Sequence, residues 1–439
     1  MSTNPTVETL GLYITKGDKA KISYEDVDFT KANRILARNS LKTDTMPCAT
    51  EIGSLFLTGA TGFLGIHILA DYLEHESGTV YCLVRGESQE ACEQRMWKLL
   101  AFYFGNRYQK MFAEHRIVVV QGDLQKPDMD LDGQKYQELA GKVGMVINAA
   151  ASVKHYGAYQ YFHEANVESV KRLIAFCRET DAKLIHISTL SVSGNSFGDD
   201  FNGYVSETEK HFYENNLYIG QPLDNVYARS KYEAEKAVLE AMADGLHANI
   251  MRMGNLTSRL CDGVFQINHE SNATLQRIKG VLDLGLLPDY LMDIYVEFTP
   301  IEEAAKAVMT IARHFSDAHT IFHINSTKVV YLESLQKYFS ELGYPLKVVP
   351  GSEFTAALRR TAEHDGTVYI FETFINDMDT NDHINYDSNI RIENTFTEQY
   401  LNALGFKWPE IGMDYLQKYT TYFEQIGYFA KKEKREKYF

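Results

Sequence analysis

The sequence predicts an α/β fold, a doubly wound parallel sheet with a mostly helical C-terminal subdomain, and three observations carry that reading. From Ser54 onward, short apolar segments with strand character alternate with longer amphipathic ones, the rhythm of a parallel sheet covered by helices on both faces. The first strand, Leu55–Thr58, runs directly into glycines at 59, 62 and 65 and then into a helical stretch, a Rossmann-type turn. Beyond about residue 326 the strand rhythm stops, and apolar residues recur at helical spacing.

Taken in order, the strands are expected at Leu55–Thr58, Thr79–Val84, Ile117–Gln121, Met145–Asn148, Lys183–Ser188 and His247–Met253, with a late closing strand at Thr320–Asn325. Helices are expected at Gly62–Glu74, Ser88–Phe104, Asn166–Thr180, Asn225–Ala243 and Ile301–Phe315. Helical spacing then dominates Tyr331–Leu342, Glu353–Ala362, Thr395–Leu404 and Ile411–Phe423. Residues 1–50 are polar and irregular apart from a helical patch at Asp28–Leu41, opened by Thr30 as a candidate cap, and read as a lead-in or linker. The expected organisation is therefore 1–50 lead-in, 51–260 dinucleotide-binding domain with the catalytic residues, and 261–300 a substrate-side loop region. Residues 301–326 form the last helix and strand of the sheet domain, and 327–439 a helical substrate or lid subdomain. The closing run Lys431–Lys437 mixes both charge signs and reads as a solvated helix end.

Composition narrows the function classes. Against 44 Lys and Arg stand 59 Asp and Glu, a formal charge of −15, which opposes a nucleic-acid surface. The five cysteines are scattered without a Cys-x-x-Cys pair, so neither a disulfide framework nor a zinc site is expected, and a reducing cytoplasm is the natural compartment. The N-terminus lacks the basic and apolar regions of a secretion signal. No stretch approaches the roughly 18 uncharged apolar residues of a membrane span. A soluble, monomeric, metal-free domain is expected.

The glycine turn has a specific chemistry. Gly59 allows the tight turn, Gly62 lets backbone approach a pyrophosphate, and Gly65 lets helix and strand pack closely. With Thr58, Thr61, Phe63 and Leu64 they make the expected pyrophosphate cradle, where a helix N-terminus offers free N–H groups and partial positive charge. The second strand ends in Arg85, where an acidic residue would bind a ribose 2′-hydroxyl. A guanidinium there suits a 2′-phosphate instead, with Arg95 as a second clamp, so the expected cofactor is NADPH. Asp123, followed by Leu124, can accept from the adenine amino group after the third strand. After the fourth, Asn148, Ala149 and Ala150 let backbone run beside the cofactor. Asn166 reads as a residue that holds backbone.

Tyr227 and Lys231 lie one turn apart on a predicted helix. Thr189 ends the fifth strand, and the topology of such sheets gathers strand C-termini at one crevice, so Thr189 and Tyr227 are expected to converge on one carbonyl oxygen. Hydride addition to a carbonyl develops negative charge on oxygen, and each preplaced donor there is worth about 3 kcal/mol. Lys231 is expected to favour the phenolate of Tyr227 and to hold the nicotinamide ribose. His186 reads as sheet packing, and His155 borders the crevice without a catalytic role.

Six runs together resemble the thioester reductase family: Thr58–Gly65, Leu83–Gly86, Gly122–Leu124, Ile187–Val192, Tyr227–Lys231 and Arg252–Leu256. These are extended short-chain dehydrogenases that form terminal reductase domains of nonribosomal peptide synthetases and carboxylic acid reductases. Phe212–Gln221 is similar to the synthetase-type members, and the resemblance covers roughly residues 50 to 425. It departs at Met253, where the family usually has proline. It implies Gly254 and Asn255 as further cofactor contacts, and a substrate thioester on the phosphopantetheine arm of a carrier protein. Reduction would release an aldehyde, and a second round an alcohol. The segment Gly198–Asp224 reads as a substrate-side loop, and the helical tail after 326 with the 256–298 loop would enclose the acyl group, with Tyr290, Tyr295 and Phe298 as candidate lining.

Three other readings are weighed. A sugar-nucleotide epimerase or dehydratase returns its hydride and holds NAD, which Arg85 opposes. A fatty acyl-CoA reductase usually needs a membrane segment or a longer apolar tunnel. A non-catalytic NADPH-binding regulator has no need of the intact Thr189, Tyr227 and Lys231.

Overall fold

The computed structural model describes residues 27–154, 157–194, 210–364, 366–375, 378, 384 and 390–430. Its centre is a seven-stranded sheet, β1 Leu55–Thr58, β2 Val80–Val84, β3 Ile117–Gln121, β4 Met145–Asn148, β5 Lys183–Thr189, β6 Ala248–Met253 and β7 Ile321–Ile324. The spatial order is β7-β6-β5-β4-β1-β2-β3, with every pairing parallel. Strands β1, β4 and β6 are buried along their whole length, as a sheet covered on both faces requires. The chain reverses its direction of travel across the sheet between β1 and β4, where Leu55 pairs with Val80 on one side and Met145 on the other. That switch point is where an open α/β sheet forms its crevice.

One face carries α1 Thr30–Arg38, α4 Gly133–Ala140, α5 Ser169–Thr180 and α6 Val226–Ala243. The other carries α2 Phe63–His75, α3 Gln89–Phe104 and α8 Ile301–Arg313. Beyond the sheet lie α7 Ala273–Leu284, α9 Leu332–Glu341, α10 Gly351–Thr361, α11 Val368–Phe374 and α13 Met413–Gln425, around two further apolar clusters. Helix α12, Thr395–Ala403, turns back and packs Phe396 and Tyr400 on Phe322 of β7.

Several expectations change in detail. The described part of the lead-in is no linker: α1 buries Ala32, Ile35 and Leu36, and Lys31 and Arg34 bond the end of α6. Thr30 is not its cap, because the Asp28 carboxylate accepts the Thr30 N–H at 2.8 Å. The region 261–300 is not only loop. It holds α7, capped by the Asn272 side chain and ended by Gly285 at φ +71°. The subdomain beyond 326 is not purely helical either: Val330–Tyr331 pairs with Tyr295–Val296, Lys347–Val349 with Leu286–Pro288, and Ile390–Ile392 with Lys210–Phe212. The first two pairings join the 261–300 region to the C-terminal region, and the third ties the C-terminal region to Lys210–Phe212. His155, the run Lys431–Lys437 and the first part of the Gly198–Asp224 segment lie outside the described residues.

Candidate functional site

The glycine turn is built as its spacing requires. Gly59 has φ +72°, and a Cβ there would lie 2.5 Å from the Ala149 carbonyl, so both backbone sterics and the neighbouring strand end demand glycine. A Cβ on Gly65 would lie 2.1 Å from the Gly59 oxygen, which is how α2 packs so near the turn. Gly62 caps α2 with no side chain bonded to the helix end, leaving its first N–H groups facing the crevice for an anion. This cradle fits a dinucleotide pyrophosphate. Thr61 lines an open cleft of about 540 Å³ beside it.

Thr58 and Asn148 are fully buried, and the threonine hydroxyl donates to Asn148 Oδ1 at 2.6 Å. That oxygen also accepts the Ala150 N–H at 3.3 Å, so Asn148 shapes the loop after β4. Leu64 is core, and the Phe63 ring packs edge-on against His67 and Phe265. Burial drives the pKa of His67 down to about 4, so its ring is neutral.

Arg85 is exposed at the end of β2, and Arg95 of α3 reaches it, donating to the Arg85 carbonyl at 3.2 Å. That contact joins Arg95 to the main chain at Arg85. Lys98, one turn beyond Arg95, lines the same cleft as Thr61 and was legible only from its i+3 spacing. The Asp123 carboxylate accepts the Gln125 N–H at 3.0 Å in an Asx turn, and the Leu124 carbonyl accepts from Arg172 at 2.9 Å.

At the end of β5, Tyr227 meets Thr189, while Lys231, one turn further along the helix, is tied to the backbone of the same strand. Helix α6 begins at Val226, where the Asn225 side chain accepts the N–H groups of Tyr227 and Ala228 at 3.0 and 3.1 Å. Tyr227 thus stands in the first turn, and its phenol is hydrogen-bonded to the Thr189 hydroxyl. Burial raises the phenol's pKa above its ordinary value, and the Thr189 bond works against that rise. Thr189 also bonds Ser191, donating to its hydroxyl at 3.1 Å and accepting its N–H at 3.2 Å. Lys231 is 2% exposed and donates to the Ile187 carbonyl of β5 at 2.6 Å. Burial lowers its pKa to about 8, while the Glu235 carboxylate one turn on pulls it back up. In this structure Lys231 is bound to β5, and the influence that opposes burial on the phenol comes from Thr189.

Asn166 holds backbone, as expected, whereas the bracing by Arg252, Glu235 and Glu297 has no counterpart in the sequence reading. Asn166 lies in a π-turn, His163–Glu168, that precedes α5, a distortion common at functional sites. Its side chain accepts the Ser152 N–H at 2.7 Å and donates to the Ser152 carbonyl and the Ser230 hydroxyl, tying the loop after β4 to α6. Arg252 and Glu235 form a wholly buried ion pair at 2.8 Å, and Arg252 also donates to the Asn216 carbonyl at 2.7 Å. The Gly254–Asn255 loop is held by Glu297, whose Oε1 accepts the Asn255 N–H at 2.8 Å. Of the expected lining aromatics, Phe298 is core, packed on Tyr415 and Tyr419, whereas Tyr290 and Tyr295 are exposed. Among the described residues no cluster of metal-ligating side chains occurs, and no helix is long and apolar enough to cross a membrane.

The family model described as male sterility protein matches residues 57–308. The chain is 26% identical over 382 residues to a linear gramicidin synthase of Brevibacillus parabrevis, covering 86% of this chain and 7% of that one. It is 26% identical over 379 residues to an isonitrile lipopeptide synthase of Streptomyces coeruleorubidus, covering 85% of this chain and 24% of that protein. The chain thus spans under a quarter of the length of these two curated relatives. Among solved structures, a thiolation-reductase di-domain from an archaeal nonribosomal peptide synthetase superimposes with a TM-score of 0.79 at 30% identity. That likeness covers 92% of this chain and 82% of the other.

Proposed function

Because the chain belongs to the male sterility protein family, as a thioester reductase of the extended short-chain dehydrogenase superfamily, we propose that it releases a carrier-bound peptidyl or aminoacyl thioester by NADPH-dependent reduction. The substrate would be held on a phosphopantetheine arm, and the product would be an aldehyde, reduced onward to an alcohol when a second round follows. The observation that supports this reading is the hydrogen bond between Tyr227 and Thr189 at the end of β5, with Lys231 bound to Ile187 of the same strand.

In this reading the residues of the cradle hold the pyrophosphate, Arg85 and Arg95 take the 2′-phosphate, and Asp123 faces the adenine. Bound NADPH supplies the hydride. Thr189 and Tyr227 donate to the thioester oxygen, where negative charge grows as the carbonyl carbon becomes tetrahedral. Tyr227 passes its proton to that oxygen, giving a hemithioacetal. When the C–S bond breaks, the electron pair leaves with sulfur, the carrier thiol is re-formed with a proton, and the carbonyl closes as an aldehyde. Lys231 holds the nicotinamide ribose once its ammonium turns from the Ile187 carbonyl, and its charge then favours the phenolate left on Tyr227.

The partner in this proposal is a phosphopantetheinylated carrier protein or domain, and the working form is a monomeric domain in the cytoplasm. Mass spectrometry of products from a panel of aminoacyl and peptidyl pantetheine thioesters tests it. Aldehyde or alcohol formed with loss of NADPH supports the proposal, and hydrolysed acid alone contradicts it.

A further inference from the structure

The loop that follows β6 is shaped by a side chain that comes from elsewhere. A Cβ on Gly254 would lie 2.2 Å from Glu297 Oε1 and 2.5 Å from the Asn325 Cβ. Glycine is therefore required at 254 because the Glu297 carboxylate and Asn325 occupy the space beside it. The same Oε1 accepts the Asn255 N–H at 2.8 Å and the Thr299 hydroxyl at 2.6 Å. The Glu297 carbonyl accepts from Asn255 Nδ2 at 3.2 Å, and Asn255 Oδ1 accepts from Thr274 of α7 at 3.3 Å. Asn255 thus spends its side chain on bracing. The neighbouring residues continue the brace: Leu256 and Thr257 pair with Thr299 and Pro300, and the Thr299 hydroxyl accepts the Ser326 N–H at 2.8 Å.

We infer that Glu297 is a positioning residue for the nicotinamide half of the cofactor, fixing the loop after β6 in the shape that receives it. The inference rests on the cofactor reading above, in which the dinucleotide lies across the strand ends with its adenine half at β2 and β3 and its nicotinamide half beyond β4, β5 and β6. One carboxylate oxygen serves two donors on different segments and also fills the place of a side chain, so its loss frees the loop on both sides. The effect belongs to one half of the ligand only, because Arg85, Arg95 and the glycine cradle are remote in the sheet from β6.

The test is calorimetric binding of NADPH and of 2′,5′-ADP, which lacks the nicotinamide half, to the unaltered chain, Glu297→Ala and Glu297→Gln, with thermal melts of each. Glu297→Ala is expected to weaken NADPH by about tenfold, the scale of a displaced positioning group, and to bind 2′,5′-ADP unchanged. Glu297→Gln keeps an oxygen acceptor and is expected to bind NADPH like the unaltered chain. Equal weakening of both ligands by Glu297→Ala, undiminished NADPH binding, or a glutamine variant as weak as the alanine one would overturn the inference. Failure of the unaltered chain to bind NADPH would overturn the cofactor reading itself, and this inference with it.

Discussion

The hydroxyls of Thr189 and Tyr227 are hydrogen-bonded to each other. One ends strand β5 and the other opens helix α6, so two hydroxyls from separate elements meet at one point, where the proposed mechanism places the substrate oxygen. Thr189→Val is expected to lower kcat about a hundredfold, the usual cost of one oxyanion donor, while NADPH affinity stays unchanged. Single-turnover kinetics with a pantetheine thioester checks this, and a loss confined to KM would remove Thr189 from the reacting oxygen.

Lys231 is expected to be needed for turnover yet costly for the fold. Its pKa of about 8 lies below its ordinary 10.5. Between those values the unfolded chain binds more protons than the folded one, so stability attributable to Lys231 rises with pH across that window and its cost is greatest below 8. Lys231→Met is therefore expected to be inactive and, at pH 7, more stable by about 1–3 kcal/mol. The gain should shrink as pH climbs towards 10. Urea unfolding at several pH values measures it, and a gain that grows with pH would contradict the assignment.

The kcat/KM profile offers a separate check. If the ammonium form of Lys231 serves the free enzyme, kcat/KM falls as pH rises through about 8. Lys231→Arg, which stays protonated, should lose that alkaline limb even if its turnover is lower.

Arg85→Ala is expected to weaken NADPH by about ten- to a hundredfold, since a charge-assisted pair to phosphate is lost. NADH affinity should change little. Fluorescence titration of both coenzymes decides, and equal losses would defeat the 2′-phosphate role of Arg85.

Glu235→Leu leaves Arg252 buried without its carboxylate and is expected to cost about 3–5 kcal/mol of stability. Replacing both members, Arg252→Met with Glu235→Leu, should recover a large part of that cost. A neutral single substitution in denaturant titration would show that the pair is not held as tightly as its 2.8 Å contact indicates.

Much of the framework was readable in the residues because local signals and global fold agree. Strands β1, β3 and β4 lie on the predicted residues, and α3 and α6 differ from expectation by a residue at the start, since apolar runs bounded by glycine and capping residues leave little latitude. Gly59, Gly62, Gly65 and the Tyr227–Lys231 spacing carry chemistry in their order, so they were legible too. Helix α7 was overlooked although Asn272 and Gly285 bracket it, because its short apolar pattern was read as part of a loop. Asn166 was legible as a residue that holds backbone, but Arg252 and Glu297 act through bonds to residues distant in the chain, and no periodicity announces such partners. The direction of the Tyr227 shift was hidden for the same reason: it depends on burial and on the bond to Thr189.

The most direct measurement is NADPH absorbance during mixing with an aminoacyl or peptidyl thioester on a pantetheine arm, comparing the unaltered chain with Tyr227→Phe. Consumption of NADPH by the former and its absence in a folded, cofactor-binding phenylalanine variant is the predicted result. Near-native consumption by Tyr227→Phe would contradict the assignment of this crevice as the place where the thioester is reduced.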